Sequence, residues 1–446
     1  MVKELEATLR TGVEIAEYIK ELRYDELPDD VVHQVKRLVL DSLGTIFMGL
    51  RKAEAQPISQ LLAKLNQPEE CSVAKAIRKT SCTWAAFANA SYAQVHDCND
   101  GHKDAAAFGG SAHPGRTVIP TALAVGEKLN SSGEEIITSV VIGYDVATKI
   151  RGMENRPPAA TYSSAAVASK LMDLSTEEIQ FAMGIAGFNA PKGFPRSLAY
   201  DTNFLSCGYQ AKNGIEAAMM SKEGLGGQPL GDDRRLSTRF KERGLGQDFE
   251  VMNVYIKPWP ACRMTHGAIE ALLDMTKDGT IILDEIQEIN VSQLTHGMYI
   301  KDTPVDVDSY YKACQFNLPY IAAVTLLDGE VTEAQFTSER IADERIHELA
   351  KKVNITADES LDSIYPDKDR PTLVEVIFEE GRALKRAISS PYGDPRNNLN
   401  DDALFEKFVK WSGQSISSRQ ASDIKEVVWA LEDQVDLEIL MGLLRN

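Results

Sequence analysis

Three of the seven histidines, His96, His102 and His113, fall in one stretch, Val95–Pro120, together with Asp97, Asp100, Lys103, Asp104 and Arg116. Glycines and Pro114 break the stretch up. It reads as a titratable loop between apolar helices, the usual raw material of an active site. Histidine takes or gives a proton at neutral pH, so the chemistry on offer is acid/base chemistry. A second cluster, Lys257–His266, reads as its complement, with Arg263 inside it. His266 falls in the first turn of a helix, where the dipole lowers its pKa and favours an anion. Tyr144 and Lys149 share the helix Gly133–Lys149. Their spacing sets them roughly 140° apart around its axis, so they border one pocket only if it wraps the helix end.

Other chemistries find little support. Gly224–Gly231 is glycine-rich but carries neither GK[ST] nor GxGxxG, and reads as a loop. Asp97-Cys98-Asn99-Asp100-Gly101 has the glycine one place early for a calcium loop, and Phe108 stands where the bidentate glutamate belongs. A metal set of His96, Asp97, Asp100 and His102 is conceivable but lacks HxxxH spacing or a cysteine partner. No G-x-S-x-G elbow offers a nucleophilic serine. What remains is acid/base chemistry without a cofactor.

Charge offers an independent signal. With 48 basic and 66 acidic side chains the net charge is −18, which disfavours nucleic acid and anionic membranes as partners. Yet Ala105–Gly126, Asn155–Met172, Ile179–Tyr200 and Val251–Ile269 contain no acid while keeping Arg116, Arg156, Lys170, Lys192, Arg196, Lys257, Arg263 and His266. Buried helices also exclude charge, but gaps that retain cations suggest a positive pocket for a small anion, a di- or tricarboxylate. The six cysteines are scattered without framework spacing and read as reduced thiols. The N-terminal MVKELEATLRTG has no apolar signal region, and no run reaches membrane-span length, so a cytoplasmic protein is expected.

The elements that must position these groups change character along the chain. Helical spacing marks Thr11–Leu22, Pro28–Leu50, Ile58–Leu65, Thr83–Tyr92, Thr121–Leu129, Gly133–Lys149, Ser163–Leu171, Ser175–Gly187 and Cys207–Ser221. No strand is expected before residue 245. Beyond it, Phe249–Ile256 and Ile286–Leu294 alternate as strands, and Thr372–Phe378 with Ala383–Ser389 reads as a hairpin. Helices are expected at Thr265–Lys277, Cys314–Leu327 and Asp343–Val353. The fold class is therefore mainly α with a second α+β domain. Residues 1–258 form the helical domain, completed by 398–446, and residues 259–397 form the α+β domain.

Taken together, the motifs resemble the MmgE/PrpD family, which includes 2-methylcitrate dehydratase, cis-aconitate decarboxylase and iminodisuccinate epimerase. The resemblance runs nearly end to end. It rests on Leu40-Asp41-Ser42-Leu43-Gly44, HD-x-x-DGH at 96–102, His113-Pro114-Gly115, Gly143-Tyr144-Asp145-Val146 and Gly214-Ile215-Glu216-Ala217-Ala218. Lys257-Pro258-x-Pro260 through Thr265-His266, Leu318-Pro319-Tyr320 and Pro391-Tyr392-Gly393-Asp394-Pro395 extend it. The resemblance implies a helical domain, a smaller α+β domain, a homodimer, and an active site between the domains. It also implies functional roles for Asp97, Asp100, His102, His113, Tyr144 and Lys257.

Two departures bear on the reaction. Dehydratases and decarboxylases of the family typically have Asp-Asp-Thr where this chain has Asn99-Asp100-Gly101. They also have a lysine where this chain has Asn203. The shared chemistry of the family is a carbanion-like centre beside a carboxylate, stabilised by cations and hydrogen-bond donors. Loss of a hydroxyl and a cation favours epimerisation of an amino- or imino-dicarboxylate such as iminodisuccinate. A hydro-lyase, a decarboxylase and a non-catalytic carboxylate binder are the alternatives. The expected proton carriers are His102 or His113 against Tyr144 or His266. Asp97, Asp100, Lys103, Lys149, Asn203, Lys257 and Arg263 are the expected substrate-binding residues, and no metal or other cofactor is expected.

Overall fold

Helix α2 (Asp29–Leu50) organises the first half of the chain. Asp29 and Asp30 lie in its first turn, where carboxylates complement the helix dipole, and every residue from Lys36 to Gly49 is buried. The computed structural model describes the chain apart from Met1, residues 104–112, 151–158, 191–199 and 229–243, and positions 278, 280, 366, 368 and 414. The first half also holds α1 (Val2–Glu21), α3 (Gln56–Lys64), α4 (Cys82–Val95), α5 (Gly115–Leu129), α6 (Gly133–Lys149), α7 (Ala159–Leu171), α8 (Thr176–Asn189) and α9 (Thr202–Lys222), of which α4, α5 and α6 pack on α2. The alanine-rich α4 is buried on nearly every side and packs against α2, α5 and α9, because a lone methyl lets backbones approach closely. A capping box of Ser132 and Glu135 starts α6, the helix that carries Tyr144.

The protein is mainly α with a second α+β domain. Its sheet runs in the order β4 (Val353–Ala357), β3 (Ile286–Gln293), β5 (Thr372–Phe378), β6 (Ala383–Ile388). The β3–β4 pair is parallel and the others antiparallel. Burial alternates along β5, and α10 (His266–Lys277) covers β5 and β6 while α11 (Leu318–Asp328) packs on α10. The chain then returns: α12 (Asp401–Ser412) lies on α2, tied by a buried Lys407–Asp41 ion pair and by Arg37–Asp401.

Two short elements carry the site. Gly101–His102 (β1) pairs antiparallel with Val254–Tyr255 (β2), in the register Gly101 with Tyr255 and His102 with Val254. The sequence predicts a full strand over Phe249–Ile256 and none before residue 245. Instead Glu250–Asn253 is a 3₁₀ turn and only Val254–Tyr255 is extended. The cause is polar: Glu250 N–H donates to Asp145 Oδ1 at 2.8 Å, and this buried bond outweighs the alternation. Likewise α5 begins at Gly115, not Thr121, and carries Pro120 inside it. Its first N–H, on Gly115, donates to Asp100 Oδ1 at 3.2 Å, so the carboxyl of the preceding loop anchors the helix N-terminus. The strand β4 lies where the helical pattern of Asp343–Val353 gives out and was not expected. No described helix is long and apolar enough to cross a membrane, and the six cysteines are buried free thiols.

Candidate active site

The loop after α4 is gripped from the second domain. Lys312 Nζ donates to the Gln94 and Val95 carbonyls at 2.9 and 3.0 Å, and Tyr311 Oη also donates to Val95 O, so orphan carbonyls at the end of α4 are satisfied. Gln315 Oε1 accepts from Asp97 N–H, and its Nε2 meets His96 Nδ1 at 3.3 Å. Burial, with Lys52, Lys312 and Arg51 nearby, pushes the His96 imidazole well below its ordinary value, so it is neutral.

Asp97 and Lys257 form a fully buried ion pair. Lys257 Nζ lies 2.6 Å from Asp97 Oδ2 and 3.1 Å from the Asp97 carbonyl. Burial opposes the charge on Asp97, but Lys257, Lys312 and His113 outweigh it and hold the carboxyl below the usual carboxylate range. Oδ1 of Asp97 is buried and has no hydrogen-bond partner among the described residues.

Asp100 is the opposite case. Tyr144 Oη donates to its Oδ2 at 2.6 Å and Gly115 N–H to its Oδ1. Burial, reinforced by the negative charge of Asp41, nevertheless pushes its pKa up to about 7. The Tyr144 phenol is raised well above its ordinary value by burial and by Asp100, so it stays protonated and donates. Gly115 must be a glycine here, since a Cβ would lie 2.5 Å from Asp100 Oδ1 and 2.6 Å from Tyr144 Oη. His113 Nδ1 lies 2.7 Å from the Asp100 carbonyl. A carbonyl only accepts, so Nδ1 carries the hydrogen and the imidazole lone pair of the neutral ring is on Nε2. Of His96, His102, His113 and His266, only His113 is partly exposed.

Asp100 gives a testable stability signature. A carboxyl whose folded-state pKa is raised contributes fully below its unfolded value of about 3.9 and loses that contribution as pH rises. For Asp100 the loss runs from there through about 7. Asp100→Asn keeps the neutral form, so its melting temperature relative to the parent is expected to rise by a few °C between pH 5 and pH 8. Calorimetry at the two pH values checks it; a constant offset contradicts it.

His102 lies deeper. Its Nε2 is 2.7 Å from Glu250 Oε2, and both side chains are buried. Asn253 Nδ2 also donates to Glu250, and Asp145 holds the Glu250 backbone. Lys149 Nζ in turn lies 3.1 Å from Asp145 Oδ2 and donates to the Asp248 carbonyl at 2.9 Å, while Tyr18 Oη donates to Asp145. Lys149 thus belongs to a buried chain of ionic contacts behind His102, on a different side of α6 from Tyr144, as the spacing requires.

In the second cluster Arg263 is committed inside the protein. Nε and Nη2 donate to Asp369 Oδ2 at 3.2 and 3.1 Å, and the Pro391 and Tyr392 carbonyls take the rest at 2.9 and 3.0 Å. His266 Nε2 meets the Ala261 carbonyl at 3.2 Å and Nδ1 faces Arg263 at 3.4 Å. Burial, then Arg263 and Lys257, drives its pKa well below the ordinary value. Asn203 Oδ1 accepts from Gln94 Nε2 at 3.3 Å, and Gln94 Oε1 accepts from Arg116 at 2.8 Å. Lys103 donates its backbone N–H to Asn253 O at 3.0 Å, extending the β1–β2 pairing.

Sequence reasoning missed Tyr255, Glu250, Lys312, Asp369 and Arg370. Tyr255 fills the space beside Gly101: a Cβ on Gly101 would come within 2.7 Å of Tyr255 Cε2 and closer still to Cζ and the hydroxyl. The Gly101→Ala variant must displace that ring, and a loss of about 1–3 kcal/mol is expected in urea unfolding. In a Tyr255→Ala background the same Gly101→Ala change should cost less, as a double-mutant cycle would read; no change in the single variant contradicts the packing.

Of the cations in the acid-free windows, Lys170 caps α1 by donating to the Lys20 and Leu22 carbonyls, away from this cluster. Arg156, Lys192 and Arg196, like Asp104, lie outside the described residues. The four side chains considered as a metal set are divided among Gln315, Lys257, Tyr144 and Glu250. Among the described residues no three His, Cys, Asp or Glu side chains converge as a metal ion requires.

The arrangement gathers titratable side chains from both halves of the chain. The first-half loop supplies Asp97, Asp100, His102 and His113, and the second half faces it with Lys257, Tyr255 and two arginines. Comparison with known proteins agrees in extent. The chain is 23% identical to a cis-aconitate decarboxylase-like protein of Aspergillus oryzae, covering 97% of this chain and 96% of the relative. It is 25% identical to the cis-aconitate decarboxylase of Mus musculus (95% and 91% covered) and 26% identical to that of Homo sapiens (95% and 92%). The MmgE/PrpD N-terminal domain model matches residues 13–231 and the MmgE/PrpD C-terminal domain model matches 259–433. With the two models covering most of the chain in that order, the protein belongs to the MmgE/PrpD family.

Proposed function

We propose that this protein is an enzyme that moves a proton at a carbon next to a carboxylate of a small di- or tricarboxylate, with a lyase outcome, decarboxylation or elimination. The observation that carries the reading is the His113–Asp100 pair. Nδ1–H of His113 is held on the Asp100 carbonyl, which leaves Nε2 to carry the proton, and the Asp100 carboxyl titrates near neutrality. Lys257 is paired with Asp97 and Arg263 with Asp369, and the cation left of these three to balance negative charge on a carboxylate-stabilised carbanion is Arg370. In decarboxylation the C–C bond breaks, CO2 leaves, and the electron pair left on carbon takes a proton. In elimination a base removes the α-proton while hydroxide leaves with an added proton. His113 serves as the proton carrier in both.

Epimerisation of an imino-dicarboxylate is the second reading, and Asn203 in place of a lysine favours it. The other ground for it is weaker. The Tyr255 phenol lies against Gly101, so a hydroxyl is present where the sequence lacks one, and Arg116 and Lys312 both bond Gln94, the neighbour of Asn203. Relatives named for cis-aconitate decarboxylation over almost the full length also weigh towards a lyase. A panel of cis-aconitate, 2-methylcitrate and iminodisuccinate in deuterated water, followed by NMR, tests the reading. Release of CO2 or growth of alkene signals supports it. Deuterium exchange with no net consumption moves the assignment to the epimerase. Binding without any change in any acid would leave a non-catalytic binder.

A further inference from the structure

Arg370 is a buried cation that the sequence reading passed over. It precedes β5, and its backbone lies in the left-handed region, φ +46°, which a non-glycine residue adopts only where its surroundings impose it. The residue is 8% exposed. Nη1 donates to the Lys103 carbonyl at 3.3 Å and contacts Asp369 Oδ1. Nε, also buried, meets no acceptor among the described residues. Buried guanidinium donors are ordinarily satisfied, so a donor with no acceptor among the described residues, beside the loop of Asp100 and His113, is open to a ligand.

The local charge balance points the same way. The fully buried Asp369 is shared, with Oδ2 on Arg263 and Oδ1 on Arg370. Arg263 is surrounded by Asp369 and two carbonyls and also feels Asp394 and Glu270, whereas Asp369 is the acid that compensates Arg370, so Arg370 is the less compensated of the two guanidiniums. Its guanidinium carbon stands 5.4 Å from the centroid of the Tyr255 ring, and that of Arg263 stands 4.4 Å from it. The same ring meets His113 edge-on, with centroids 6.5 Å apart. Arg370 therefore borders the proposed proton carrier across one tyrosine.

We propose that Arg370, aimed by Asp369 and resting on Tyr255, binds a carboxylate of the substrate through its Nε edge. Arg263 is a positioning residue that fixes Asp369. This rests on the reading of the site as one for a small di- or tricarboxylate. The guanidinium fork matches a carboxylate in a way that an ammonium cannot.

Calorimetric titration with tricarballylate, an unreactive tricarboxylate, tests the assignment without requiring turnover. Arg370→Gln is expected to weaken binding about 10- to 100-fold. Arg370→Lys keeps the charge and the pairing with Asp369, and is expected to weaken binding about tenfold. It carries the test if Arg370→Gln does not fold. Unchanged affinity in both variants, or no binding of tricarballylate by the parent at millimolar concentration, overturns the assignment. A parent that binds tricarballylate through Arg370 yet transforms no acid of the panel would sink the proposed function and leave Arg370 standing. Turnover with an unchanged KM in both variants does the reverse.

Discussion

His113→Asn is expected to lower kcat by roughly 10²- to 10⁴-fold, the range for removing a general acid/base, while KM changes little. Asparagine can still donate an N–H to the Asp100 carbonyl, so it preserves the contact that seats His113 while deleting Nε2. The loop should stay in place and the loss should fall on chemistry. Steady-state rates on whichever acid the panel identifies, beside calorimetric affinity for an unreactive analogue, separate the two effects. Imidazole added to His113→Ala should restore part of the rate. A His113→Asn enzyme within tenfold of the parent would remove His113 from the mechanism. The pH profile supplies a second check: if the Asp100 carboxyl works in its protonated form, kcat falls above about pH 7 and the limb disappears in Asp100→Asn.

The second large effect is on stability. Lys257→Met leaves the Asp97 carboxylate buried without its cation, and such a break costs about 3–5 kcal/mol. Lys257→Met with Asp97→Asn should recover most of that, because the uncompensated charge has gone. Urea unfolding of the two single variants and the double variant measures the coupling. Additive losses would mean that the pair is not a unit. The pH dependence has a definite sign. The Asp97 pKa is depressed in the folded protein, so the contribution of the carboxylate is fully present above its unfolded value of about 3.9 and is lost as pH falls below it. The parent should therefore lose stability on acidification faster than the Asp97→Asn, Lys257→Met double variant.

The sequence reads well where a signal is local. The helices follow from apolar spacing, and the residue types of Val95–Pro120 mark it as a stretch of titratable groups. The five-residue step from Tyr144 to Lys149 correctly implied that they look in different directions. What could not be read is which charge meets which. Arg263 and His266 share an acid-free window with Lys257, but Arg263 turns to Asp369, more than a hundred residues later, and nothing about the pair Asp369-Arg370 marks it in the sequence. Glu250 was hidden inside an apparent strand, although it is the acid that ends the window Val251–Ile269 on its N-terminal side. Pro120 was taken as a boundary. The helix accommodates it, because Asp100 anchors the true start at Gly115 and proline already has a helical φ.

The pairing of Gly101–His102 with Val254–Tyr255 has a consequence for the order of events during synthesis and folding. The bonds that complete the loop join residues 148, 160 and 218 positions apart: His102 to Glu250, Asp97 to Lys257, and Asp97 to Gln315. Such contacts close long loops, whose entropy is lost before the contacts repay it, so they form late. A ribosome-bound chain that has released only its first two hundred residues has helices α1 to α8 and none of these partners. Its Asp97 lacks the cation that keeps it charged in the interior, and its His102 lacks Glu250. Asp100, His113 and Tyr144 can already meet in that nascent half, but the cation of Asp97 and the acid of His102 arrive only when the second half docks, so the loop's charges are compensated at the same time as the tertiary structure closes.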